Sequence, residues 1–147
     1  MHESFMREAI AMARAAEAAG EVPVGAVVEL GGEIAGRGAN SPIARNDPTA
    51  HAEILALREA ASRIANYRLE NATLYCTLEP CVMCAGALVA ARIKRVVFGA
   101  RDLRFGGIRS KFQIADSDVL NHKAEIVEGV LGVECVELLR GFFERKR

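Results

Sequence analysis

The sequence predicts an α/β protein, a three-layer α/β/α sandwich on a mixed sheet of five strands, and three observations carry that prediction. Short β-branched apolar runs alternate with stretches of helical periodicity. The first two runs are joined by Gly31-Gly32, a two-residue hairpin signal, so they pair antiparallel. Two later runs, at 73–77 and 96–100, flank one helical stretch, the pattern of a right-handed crossover between parallel strands. With 147 residues, 51% of them apolar, and no linker-like segment, the chain reads as one domain over 1–147.

The elements follow in order. Phe5, Met6, Ala9, Ile10, Ala13 and Ala16 recur at helical spacing, with Gly20 placed as a C-terminal cap, so 3–19 is an amphipathic helix. Strands follow at 22–30 and 33–39. The polar stretch 40–46, containing Pro42, is a loop. Asp47-Pro48 has the form of a cap and first turn, and predicts a helix from there to about Arg63. After the strand at 73–77, Pro80 opens a helix that runs to 91 with almost no polar residue. A helix apolar all round lies deep or in an interface. Beyond the strand at 96–100, the stretch 101–124 predicts a loop at Gly106-Gly107, a short helix near Phe112 and a turn at Asn121-His122. A last strand at 124–127 and a closing helix at 133–145 complete the sheet and its cover.

Composition narrows the function classes. The longest uncharged apolar run, 81–91, is too short to span a bilayer. Glu3 and Glu8 fall where a secretory signal would be basic or apolar, so a cytoplasmic protein is expected. A chain this apolar needs no disulfide staples, and Cys76 and Cys135 in apolar surroundings fill core space. Basic and acidic residues balance at 19 each, but unevenly: 92–111 holds 7 basic residues against Asp102 alone, and the chain ends Arg-Lys-Arg. A basic stretch on a neutral protein is compatible with a polyanionic partner, and equally with solvated side chains that have no partner.

The chemistry sits in two short motifs, His51-Ala52-Glu53 and Pro80-Cys81-Val82-Met83-Cys84. Two cysteines and a histidine suit zinc, and a catalytic zinc keeps three protein ligands and one open position. Cys81 and Cys84 are three apart near a helix start, where free backbone amides favour thiolates. Residues i and i+2 of a helix diverge by about 200°. His51 and Glu53 therefore share a site only if their helix presents its end to the metal. Two thiolates and an imidazole already cancel the charge of zinc, so its water is acidified less than in an all-histidine site. A general base is then required, and Glu53 is the candidate. Two other readings stand beside this one: a redox Cys-x-x-Cys pair, and a structural zinc site closed by a fourth ligand, for which Cys76 is the nearest in sequence.

These residues resemble the zinc-dependent nucleobase deaminases, whose signature is His-x-Glu followed by Pro-Cys-x-x-Cys. The resemblance is closest to the bacterial tRNA-specific adenosine deaminases. It extends through 20–26, Asn40-Ser41-Pro42, 47–53, 77–84, Leu120-Asn121-His122 and Phe142-Phe143. It implies a cytidine deaminase-like fold, one Zn2+ per subunit on His51, Cys81 and Cys84, and Glu53 as the proton carrier. It implies hydrolytic deamination of a wobble adenosine in a tRNA anticodon loop to inosine, with release of ammonia, by a homodimer. Asn40, Val24, Ala52 and Leu78 resemble the base pocket, and Arg101, Asp102, Asn121, His122, Phe142 and Phe143 the contacts to flanking nucleotides. A free nucleobase or nucleoside deaminase, acting on guanine or cytosine, is the alternative with the same metal chemistry. After Arg101-Asp102 the chain departs from the family's run of small residues: bulky Phe105 and Arg109 predict altered loop contacts or subunit packing.

Overall fold

A computed structural model describes residues 1–146; Arg147, last of the three terminal basic residues, lies outside it. Five strands form one sheet in the order β2-β1-β3-β4-β5. Strands β1 (Gly25–Leu30) and β2 (Glu33–Ala39) form the expected hairpin, and both turn glycines take positive φ, 63° and 86°. Strand β1 is antiparallel to β3 (Thr73–Leu78), while β3, β4 (Arg95–Ala100) and β5 (Glu125–Glu128) run parallel. The mixed sheet is therefore as predicted.

Period-two alternation divides the core. Ala26, Val28, Leu74, Cys76, Val96 and Phe98 face helices α3 (Ala52–Ile64) and α4 (Val82–Ala90). Val27, Tyr75 and Val97 face helices α1 (His2–Ala18) and α5 (Gly132–Arg145). Cys76 and Cys135 are both buried and unpaired, one in each layer. Among the described residues no helix is long and apolar enough to cross a membrane.

Three local expectations are corrected. The stretch 40–46 contains a short helix, α2 (Pro42–Arg45), because the buried carboxylate of Glu21 accepts the amides of Ile43 and Ala44 at 3.2 and 2.8 Å. Asp47 does not cap a helix. Its Oδ1 accepts the Thr49 amide and hydroxyl at 2.8 and 2.7 Å, closing an Asx turn, and α3 begins only after His51. No helix forms near Phe112, where the chain is a series of turns.

The later start of α3 matters for what it presents. Gly36 and Gly38 let the helix lie directly on β2: a Cβ on Gly38 would come within 2.0 Å of the Ala52 carbonyl oxygen. The first turn of α3 is thus fixed against the sheet at the end of β2, close to the carboxyl end of β3.

Candidate active site

Two helix starts converge at the carboxyl ends of β3 and β4. His51 is the N-cap residue of α3 and Cys81 that of α4, both with extended backbone, and Cys84 lies three residues into α4. His51 Nδ1 stands 3.6 Å from Cys81 Sγ and 3.5 Å from Cys84 Sγ. A tetrahedral zinc with bonds of about 2.3 Å to sulfur and 2.05 Å to nitrogen needs N–S edges of roughly 3.6 Å, so the donor set fits the ion. The ligand atoms of these three residues all lie within 4.8 Å of one another, and among the described residues no fourth His, Cys, Asp or Glu joins the group. The cluster therefore has the three-ligand form of a working zinc site, and Cys76 does not close it.

The electrostatics agree. Two thiols this close share a proton: Cys84 donates to Cys81, which against its burial and with help from His51 brings Cys81 down to about 4. Giving that bond, together with burial, pushes Cys84 up. A cation bound between them would favour both sulfurs as thiolates. The bond to Cys81 raises His51, with burial opposing it. Glu53 is only 4% exposed, and burial holds its carboxyl above the ordinary carboxylate range, with its own backbone amide and His51 pulling the other way. Because α3 starts at Ala52, Glu53 lies in the first turn, and the end of the helix rather than its side faces the cluster. That resolves the divergence of i and i+2.

The remaining predicted residues divide between the two ends of the sheet. At the carboxyl end, Val24 and Ala52 are buried, Leu78 is half-buried at the close of β3, and Asn40 donates from Nδ2 to the Val22 carbonyl at 3.2 Å. Arg101 and Asp102 follow β4 directly; Arg101 makes a two-pronged bond to Glu128 at 2.8 and 3.2 Å. Phe142 is buried and Phe143 half exposed, edge to face at 5.3 Å, and Arg145 of the same helix end pairs with Glu17 near the end of α1. Asn121 and His122 are elsewhere. The Asn121 carbonyl accepts Arg92 Nη1 at 2.8 Å, and His122 Nε2 lies 2.7 Å from the Ile93 carbonyl, so both stand at the amino end of β4. Five steps of strand, roughly 17 Å, separate them from Arg101.

One residue the sequence reading passed over organises the site. Glu79, 1% exposed, accepts the amides of Asp102 and Ile108 at 3.1 Å each, of Arg109 at 2.7 Å and of Ser110 at 2.9 Å, and also the Ser110 hydroxyl. Burial pushes its carboxyl up, but the bonds from Ser110, Arg109 and Asp102 outweigh it and leave the pKa below the ordinary range. The loop is strapped to the metal segment as well. Gly107 N–H donates to the Pro80 carbonyl at 2.8 Å, Gly106 bridges Cys81, and a Cβ on Gly106 would come 2.4 Å from a Glu79 oxygen. The signal for Glu79 was a lone carboxylate between an apolar strand and Pro80. Arg109, expected to alter the contacts of this loop or subunit packing, forks onto Asp116 at 3.0 and 2.9 Å.

A family model described as "Cytidine and deoxycytidylate deaminase zinc-binding region" matches residues 1–100. The chain is 53% identical to the tRNA-specific adenosine deaminase of Haemophilus influenzae, over 99% of this chain and 84% of that one. It is 46% identical to the tRNA-specific adenosine deaminase of Bacillus subtilis, over 99% and 90%. Its fold matches, with a TM-score of 0.89 and 40% identity over 92% of this chain and 99% of the other, a solved structure from a study of A-to-I editing by tRNA:A34 deaminases at the wobble position of transfer RNA.

Proposed function

The chain belongs to the cytidine and deoxycytidylate deaminase zinc-binding family, alongside the tRNA-specific adenosine deaminases, and from that premise we infer that it hydrolyses the wobble adenosine of a tRNA anticodon loop to inosine and ammonia. The observation that carries the chemistry is the three-ligand cluster of His51, Cys81 and Cys84 with buried Glu53 in the adjoining helix turn.

His51, Cys81 and Cys84 would hold zinc, which would supply the Lewis acidity that makes water a nucleophile toward C6 of adenine. Glu53 takes the proton of that water. It hands that proton to N1 of the base, and then carries the second proton, from the hydroxyl now on C6, to the amine as it leaves; a raised pKa suits a carboxyl that both takes and gives. When ammonia departs, Glu53 is again a carboxylate. Val24, Ala52 and Leu78 line the pocket and Asn40 orients the base within it, on a side chain tied to the Val22 carbonyl. Arg101, Asp102, Phe142 and Phe143 meet the flanking nucleotides of a splayed loop, the form in which RNA sequence is read. Asn121 and His122, engaged at the other end of the sheet, hold the chain entering β5.

A homodimer is part of this reading. Helix α4 buries Cys84, Ala85, Leu88 and Val89 but leaves Val82 and Met83 exposed, an apolar face beside the metal ligands that a second copy would cover. An enzyme of tRNA works where tRNA matures, which places it in the cytoplasm.

The test is direct. An anticodon stem-loop with a wobble adenosine should yield inosine with the zinc-loaded protein, and Glu53→Ala should yield none. Deamination of free guanine or cytosine without any of the stem-loop would overturn the reading.

A further inference from the structure

The 102–110 loop is anchored far more firmly than a surface loop needs to be, and its anchoring presents one aromatic ring. Asp102 Oδ1 accepts the amides of Arg104 and Phe105 at 3.0 and 3.1 Å, and the Gly106 amide returns to the Asp102 carbonyl at 2.9 Å. Glu79 holds both ends of the loop from below, through Asp102 and through 108–110. On this turn Phe105 is 60% exposed. The Arg104 guanidinium lies over the ring, 5.4 Å from its centroid.

Position and charge say what the ring is for. Gly106 bridges Cys81, so Phe105 is the chain neighbour of the residue paired with the backbone of a candidate zinc ligand. Within the loop itself the other arginine, Arg109, is committed to Asp116. Arg104 and Lys111 have no ion pair among the described residues. An exposed ring backed by an unpaired guanidinium, beside a site that takes a base, is how proteins hold unpaired nucleotides: stacking on one side, phosphate attraction on the other.

We propose that Phe105 and Arg104 form a stacking platform for the unpaired nucleobase next to the adenosine that reacts. The platform rests on the RNA substrate inferred above and adds to it a subsite at the position where this chain departs from its family's small residues. Asp102 and Glu79 are its positioning residues; Phe105 touches the ligand.

The experiment uses the full zinc-loaded protein and an anticodon stem-loop with 2-aminopurine on one side or the other of the wobble adenosine. Binding is read by fluorescence in a Glu53→Ala background and turnover by inosine formation in the active protein. The wild-type ring should quench one of the two probes. Phe105→Ala should abolish the quench and raise KM roughly tenfold, with kcat within a factor of about two and zinc content unchanged. Phe105→Tyr should restore both, and Phe105→Leu, equally apolar but without a π face, neither. A Leu variant that equals wild type overturns the platform, as does a Phe105→Ala protein whose sedimentation shows loss of the dimer, which would assign the ring to a second copy of the chain. Failure of the wild type to make inosine at all overturns the RNA substrate itself. Inosine formation with KM and quench unmoved by Phe105→Ala overturns the platform alone.

Discussion

The two ends of the parallel strand pair β3–β4 differ in how they use polar residues. At the carboxyl end, His51, Glu53, Glu79, Cys81 and Cys84 are buried or half-buried, and Glu79 alone satisfies four backbone amides. At the amino end, Arg68, Arg92, Lys94, His122 and Lys123 line an open pocket of about 560 Å³ against Glu70 as its one acid. The amino end gathers four arginines and lysines around one pocket, yet it is the carboxyl end that has been built. Burying and satisfying a carboxylate costs several kcal/mol unless the geometry is met, so a buried, fully bonded acid marks a position that must be exact, whereas exposed cations cost almost nothing to place. Burial locates this site and charge density does not.

That contrast can be broken by substitution. Removing Glu53 should have the largest effect: Glu53→Ala loses on the order of 10²–10⁴ in kcat, measured as inosine per enzyme, while zinc content stays at one per chain. Loss of zinc along with activity would instead make Glu53 a ligand-positioning residue. Glu79→Ala comes next. It leaves four amides without their acceptor and should lower stability by about 3 kcal/mol in denaturant unfolding, with hydrogen exchange accelerated first at 106–110. An unchanged exchange pattern there would mean that the straps to Pro80 and Cys81 hold the loop unaided.

The Arg109–Asp116 fork gives a smaller, pH-dependent effect. The bond from Arg109 is the main cause that holds Asp116 below its ordinary value. A depressed carboxylate stabilises the fold above its unfolded pKa of about 3.9, and that stability is lost as pH falls through the folded pKa. Asp116→Asn should therefore lower Tm by about 3 °C at pH 7, and the gap should shrink toward nothing as pH falls through the depressed folded pKa of Asp116. A gap that persists at low pH would trace the effect to packing instead. Least of all should come from the amino end. Asn121 engages Arg92 through its backbone, so Asn121→Ala, like Lys94→Ala, should shift the stem-loop KM by less than about twofold. A rise of about tenfold would show RNA reaching round the sheet and cancel the contrast between the ends.

The sequence read most of the fold because its elements carry local signatures. The Gly31-Gly32 turn, the alternation in β1, β3 and β4, and the periodicity of α1 and α5 each depend on neighbours a few residues away. It misread 47–51 for the same reason. Asp-Pro is a plausible helix start, but here the carboxylate closes its own turn with Thr49, and packing on Gly38 selects the later start at Ala52. Asn121 and His122 were grouped with Arg101 and Asp102 by resemblance. Only the direction of β4, roughly 17 Å long, separates them.

By itself, then, the sequence singled out His51, Cys81 and Cys84 as candidate metal ligands and Glu53 as the carboxylate proposed to work beside them, because metal chemistry selects residue types and short spacings that survive in one dimension. Tertiary structure decided which end of the sheet carries the three-ligand cluster, that α3 aims its first turn at it, that Cys76 stays out of it, and that Glu79 gathers the 102–110 loop. Except for Cys76, which lies close to Cys81 in sequence, these are relations between segments more than 20 residues apart, fixed by sheet order and close packing, and no local pattern encodes them.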